Sequence, residues 1–140
     1  MANEAATGLA MLNTVLTGDA TLMALVTGVF RDVAPEGTAP DWIVIGHQSD
    51  QDTLSGVGSR IMTRHVDRVL VVGPESDGAN IRAAADRLDA LLQPAGLPLR
   101  NSNGTLACYR EQALLLSSIV PGSGSGAAWL LLGGLYRVEI

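Results

Sequence analysis

The stretch from Arg60 to Gly96, "RIMTRHVDRVLVVGPESDGANIRAAADRLDALLQPAG", constrains the fold more than any other part of the chain. Its second half predicts a helix over Ser76–Gln93. Ile81, Ala84, Ala85, Leu88, Leu91 and Leu92 recur at helical spacing and form one apolar stripe. Ser76 or Asp77 supplies the N-cap, and Pro94 and Gly96 stop the helix. The first half ends in the β-prone run "VLVV", so Arg60–Val72 reads as a strand. The four-residue spacing of Arg60, Arg64 and Arg68 also fits a helix over 61–68. As a strand it places Arg60, Met62, Arg64, Val66 and Arg68 on one face and Ile61, Thr63, His65 and Asp67 on the other. A helix with a single apolar stripe must lie on an apolar surface, and the strand beside it points to a sheet.

The remaining elements follow from the same periodicities. Ala5, Leu9, Leu12 and Leu16 predict a helix over Asn3–Leu16, ended by Gly18. Asp19 caps a second short helix from Ala20 to about Val26. Val29–Val33 is a short strand. An elbow, Ala34–Asp41, follows, in which Pro35 and Pro40 hold Ala34 and Ala39 extended. Trp42–Ile45 is apolar on both faces and reads as a central strand. His47–Ser59 is expected to be a strand end and a mobile loop. The segment "LPLRNSNG" is a connection with a turn at Asn103-Gly104. Thr105–Val120 and Trp129–Ile140 form a closing hairpin around the glycine-rich loop Pro121–Ala127, with a weak point at Gly133-Gly134. The fold class is α+β. One mixed, mainly antiparallel sheet of about four or five strands carries N-terminal helices and one long helix.

Composition narrows the class of function. The 140 residues suit a single domain, 1–140. Charged residues make up 16% and hydrophobic residues 47%. That charge is low against an average of about 25%, and suggests apolar surface covered by a partner. Cys108 is the sole cysteine, so neither an internal disulfide nor a cysteine zinc cluster is available. No apolar run reaches membrane-spanning length, and "MANEAATGLAMLN" lacks the basic start of a signal peptide. The expectation is an intracellular protein, or one assembled inside a cell. All nine cations are arginines and the net charge is −5, a poor balance for duplex DNA.

Chemical motifs are sparse. The loop Gly122-Ser123-Gly124-Ser125-Gly126 fails the phosphate-binding patterns, because no lysine exists and a strand, not a helix, follows. It also lacks the serine of a hydrolase elbow, since Gly124 stands at the centre. His47 with Asp50 and Asp52, and His65 with Asp67, carry residue types that can hold a divalent ion. The preferred reading is a solvated strand end for each. No catalytic residue, metal ligand or cofactor is expected. Trp42 and Trp129 read as core anchors. The Arg60, Arg64, Arg68 strip is either a wet sheet face or a contact for an acidic neighbour. That neighbour could be a second copy offering Asp32, Glu36 and Asp41, and such head-to-tail contacts close into rings.

Taken together, "LAMLNTVLTGDATLMALVTG", "VFRDVAPEGTAPDWIVI", "RVLVVGPESDGANIRAAADRLDALL" and the final hairpin resemble the tail-completion or tail-terminator proteins of long-tailed bacteriophages and related gene-transfer particles. The resemblance spans nearly the whole chain. It implies a non-enzymatic virion protein of the tail or neck, assembled in the host cytoplasm, that forms a ring, commonly hexameric, on the tail tube. Such a ring ends tube polymerisation and meets the head connector, with DNA passing transiently through its channel. The implied partners are further copies of the chain, the tube protein and a connector or stopper, with no membrane. Other readings are a connector or stopper on the portal side, and a small cytoplasmic enzyme or binding domain. In the ring reading, Pro35–Asp41 (with Asp32, Pro35, Glu36, Pro40 and Asp41) lies at an interface. Asp50–Ser59 (with Asp50 and Asp52) and Gly122, Ser123, Gly124 and Ser125 belong to loops that order on assembly.

Overall fold

A computed structural model of the chain describes residues 4–54, 56–58, 60–119 and 128–140. The glycine-serine loop with Gly122, Ser123, Gly124 and Ser125 lies outside the described residues, as do Ser55 and Ser59. Along the chain run α1 (Glu4–Thr17), α2 (Ala20–Met23), β1 (Val29–Arg31), β2 (Trp42–Leu54), β3 (Arg60–Pro74), α3 (Gly78–Leu92), β4 (Leu99–Ser102), β5 (Thr105–Ile119) and β6 (Ala128–Glu139). The strands form one six-stranded sheet in the order β1-β2-β3-β6-β5-β4. Among the described residues, only β1 and β2 pair in parallel; every other pairing is antiparallel.

The α+β class with helices on a mainly antiparallel sheet holds, but the sheet is larger than expected. Two segments account for the difference. His47–Leu54, read as a strand end and loop, continues β2 and pairs with β3 out to Leu54 opposite Arg60. The connection after Pro98 is β4, held by Leu99 opposite Cys108 and Ser102 opposite Thr105. Its turn does fall at Asn103-Gly104. β1 stops at Arg31 rather than Val33, and α2 is only four residues long. The Ser76–Gln93 helix begins as a 3-10 turn, Glu75–Asp77, and neither Ser76 nor Asp77 provides a side-chain cap. Asp19 does cap α2, accepting from the Leu22 amide at 2.9 Å. Arg60–Pro74 is a strand throughout, which removes the helical alternative.

The two sheet faces differ sharply. All three helices cover one face. There Met11, Leu12 and Leu16 of α1, Leu22 of α2, and Ile81, Ala84, Ala85, Leu88 and Leu92 of α3 pack on Ile43, Ile45, Val69, Val71, Cys108, Tyr136 and Val138. The expected α3 stripe is this contact. Tyr136 is the largest fully buried side chain, and its hydroxyl donates to Asp89 Oδ1 at 2.7 Å. Its hydroxyl pKa is raised, first by burial and then by that carboxylate. The expected weak point in β6 is a close approach between strands instead: a Cβ on Gly133 would sit 2.0 Å from the Val69 carbonyl oxygen. Among the described residues, no helix is long and apolar enough to cross a membrane.

Candidate functional site

On the face away from the helices lies a hollow of about 380 Å³, lined mainly by Trp42, Val44, Leu70, Val72, Leu116 and Leu131. Val44 and Leu70 form its buried floor, while Leu116 is 49% exposed. The tryptophans are not anchors of the helix-side core. They meet each other on this outer face, ring centroids 5.4 Å apart at 45°. An apolar sheet face that no described element covers is the kind of surface that soluble proteins cover with a partner.

The arginine strip runs along the same face. Arg64 Nε lies 3.4 Å from Glu139 of β6, and beside it Arg137 Nη2 pairs with Glu111 at 2.5 Å. Arg68 is exposed and lines the hollow together with Asp32. Asp32 Oδ1 and Arg68 Nη2 converge over Gly46, at 3.2 and 3.3 Å from where its Cβ would stand. Asp32, just ahead of the elbow, and the basic strip therefore approach one another within one chain. Arg60 occupies the start of β3, and only its backbone is described.

The elbow is anchored at its base and open at its tip. Pro35, Glu36, Gly37, Ala39 and Pro40 are exposed. The Thr27 hydroxyl donates to the Ala39 carbonyl at 2.9 Å, and the Thr27 amide to the Asp41 carbonyl at 2.8 Å. Asp41 turns inward and is 5% exposed. Asn80 Nδ2 donates to its Oδ2 at 2.6 Å and to the Leu25 carbonyl at 2.8 Å, tying the elbow to α3. Gly73 makes room for this carboxyl, since a Cβ there would lie 1.8 Å from Asp41 Oδ1. Burial raises the Asp41 pKa against the Asn80 hydrogen bond, and nearby Asp77 pushes it the same way.

The fourth feature joins the two histidine–aspartate pairs that the sequence shows separately. His47, Asp50, His65 and Asp67 converge on the helix side, beneath Gly8 of α1. Antiparallel pairing sets His47 opposite Asp67 and Asp50 opposite His65. A bulge between His47 and Ser49 supplies one extra residue, so His47 and Asp50, three apart, face the same side. His47 Nδ1 lies 2.9 Å from Asp67 Oδ1, and His47 Nε2 lies 2.9 Å from Asp50 Oδ1. His65 Nδ1 also contacts Asp50 Oδ1. The expected solvated strand end fails for two members: His65 is 1% exposed and Asp67 fully buried. Burial raises the Asp67 pKa, opposed by the hydrogen bond from His47. Next along β2, Asp52 accepts from the Thr63 hydroxyl at 2.8 Å. Cys108 is no reactive thiol, for burial lifts its pKa to about 12.

A helix-covered sheet with one open apolar face and an exposed, braced elbow defines a small α+β module. The chain belongs to the family described as tail completion protein gp17, whose model matches residues 10–116. It is thus a structural component of the tail or neck of a phage-like virion and not an enzyme, and it assembles with other tail and head proteins. The fold is also similar to a chain in the virion of a native gene transfer agent particle, with a TM-score of 0.70 and 23% identity over 100% of both chains. No curated protein matches the sequence.

Proposed function

We propose that the chain forms a homo-oligomeric ring, a hexamer, that caps the tail tube, ends its polymerisation and offers the surface to which the head connector binds. DNA passes through the ring channel without specific contact, in keeping with the net charge of −5. The observation that carries this reading is the open hollow of Trp42, Val44, Leu70, Val72, Leu116 and Leu131 on a family member this poor in charge. A lone soluble chain gains nothing from such a face, whereas a sister copy or tube subunit buries it. The elbow supports the same reading. Pro35 and Pro40 restrict it before contact, so docking Asp32, Pro35, Glu36 and Pro40 on a neighbour costs little ordering entropy. Arg64 and Arg68 would face that neighbour from the same side of the sheet. Asp50–Ser59 and the Gly122–Ser125 loop would complete the contacts.

The test is particle assembly in the absence of the chain, read by electron microscopy of negatively stained lysates. Tails of uncontrolled length are expected. Tails of normal length that fail to join heads would transfer the role to a connector or stopper on the portal side. Intact, infectious particles would overturn both assignments.

A further inference from the structure

We propose that His47 Nε2, Asp50 Oδ1 and His65 Nδ1 form a three-ligand site for a divalent transition-metal ion, Zn²⁺ by its donor set, with Asp67 orienting His47. The ligand atoms come from two strands and lie within 4.8 Å of one another. The arrangement of protons is the argument. An ionised Asp67 can only accept, so the His47 Nδ1 that faces its Oδ1 at 2.9 Å then carries the hydrogen. In a neutral imidazole the other nitrogen, Nε2, then holds a lone pair. That lone pair points at Asp50 Oδ1 from 2.9 Å, and His65 Nδ1 converges on the same oxygen. The two ring nitrogens thus converge on the one carboxylate oxygen, and an unprotonated Nε2 facing it is unfavourable unless a positive charge is placed there. An extra proton on the ring or a metal ion each meets that need, and the titration below separates them. Neutral imidazoles and a carboxylate are the ligands of zinc sites that keep a position for water.

The surroundings fit such an ion. Carboxylate-to-histidine-to-metal chains fix the tautomer and ring orientation of a ligand, which is the position of Asp67 behind His47. Among the described residues, Asp67 Oδ2 is buried without a hydrogen-bond partner. A dication one imidazole away from Asp67 offsets the cost of that buried carboxylate. With the two carboxylates ionised and both histidines neutral, a divalent ion brings the cluster to zero net charge. The entry side is open, since the side chains of His47 and Asp50 are 28% and 50% exposed. The ion would clamp the polar half of β2 to β3 beneath Gly8 of α1.

The site is tested on the full chain, purified without a histidine tag and treated with chelator. Zn²⁺ alone is titrated by calorimetry, and Co²⁺ serves as the spectroscopic probe. About one ion per chain is expected, with a rise in Tm that saturates on the same titration. Asp50→Asn and His47→Gln change exposed ligands without opening the core, and each should lose binding by at least about tenfold. Asp67→Asn keeps all three ligands and should weaken binding by about 10–100-fold. Absence of Zn²⁺ uptake by the folded chain would overturn the site, as would uptake unchanged in Asp50→Asn and His47→Gln. Loss of uptake in those variants with an unaltered circular dichroism spectrum would support it, whatever becomes of the ring.

Discussion

Single side chains decide where this chain bends and how tightly its strands meet. Asp19 does two jobs at once. It caps α2 through the Leu22 amide and takes two hydrogen bonds from Arg87 of α3, from Nε at 2.8 Å and from Nη2 at 2.7 Å. The hydrogen bond from Arg87, then that from Leu22, lowers its pKa from 3.8 to about 2. A carboxyl depressed in the folded state binds its proton more readily when unfolded. Its contribution is therefore complete above 3.8 and is lost as the pH falls toward about 2. Asp19→Asn should flatten the dependence of unfolding free energy on pH across that window, measured by denaturant titration at several acidic pH values. An unchanged slope would mean that Arg87 is not held by Asp19 in solution. Gly133 acts by what it lacks. Alanine there would press on the Val69 carbonyl between β3 and β6, at a cost of about 3 kcal/mol in denaturant unfolding. The sequence marks Gly133-Gly134 only as a weak point, because composition does not reveal which backbone approaches a glycine.

At the level of elements, the helices were legible and the long strands only in part. α3 shows its stripe because one face meets the core along its whole length. Leu88 is fully buried there, and Leu88→Ala should cost about 2–5 kcal/mol, read from the denaturant midpoint at unchanged m. The inner half of β2 is apolar and readable, whereas its outer half, "HQSDQDTL", has no apolar face to reveal it. Cross-strand hydrogen bonds and polar pairs hold that half, such as Asp52 with Thr63, and neither leaves a hydrophobic period. The histidine cluster vanished for the same reason. His47 with Asp50 and His65 with Asp67 are visible as neighbours in the sequence. Their meeting depends on strand register and on a bulge, and a segment taken for a loop has neither. β4 is four residues with Asn101 at a positive φ of 52°, too short and irregular to stand out.

For the whole molecule, the issue is what a chain with a finished core on one side of its sheet does with the other side. The helix-side layer holds almost all the fully buried apolar side chains, so folding does not depend on the open face. Assembly does, in the ring reading. Leu116 separates the two, because it lines the hollow but remains 49% exposed in the single chain. Leu116→Asp should leave monomer stability within about 0.5 kcal/mol, as for surface substitutions generally. The same charge buried unpaired in an interface costs several kcal/mol, so oligomer formation should be lost. Native mass spectrometry of the chain with tube protein measures the oligomer, and tail-length distributions in complemented lysates measure its consequence. Arg64→Glu with Arg68→Glu makes the independent comparison on the basic strip. If that pair gives normal tails while Leu116→Asp does not, the contact is apolar and the arginines face water. If both assemble normally, the neighbour docks elsewhere, and the elbow becomes the surface to vary next, beginning with Glu36, which is exposed at its tip.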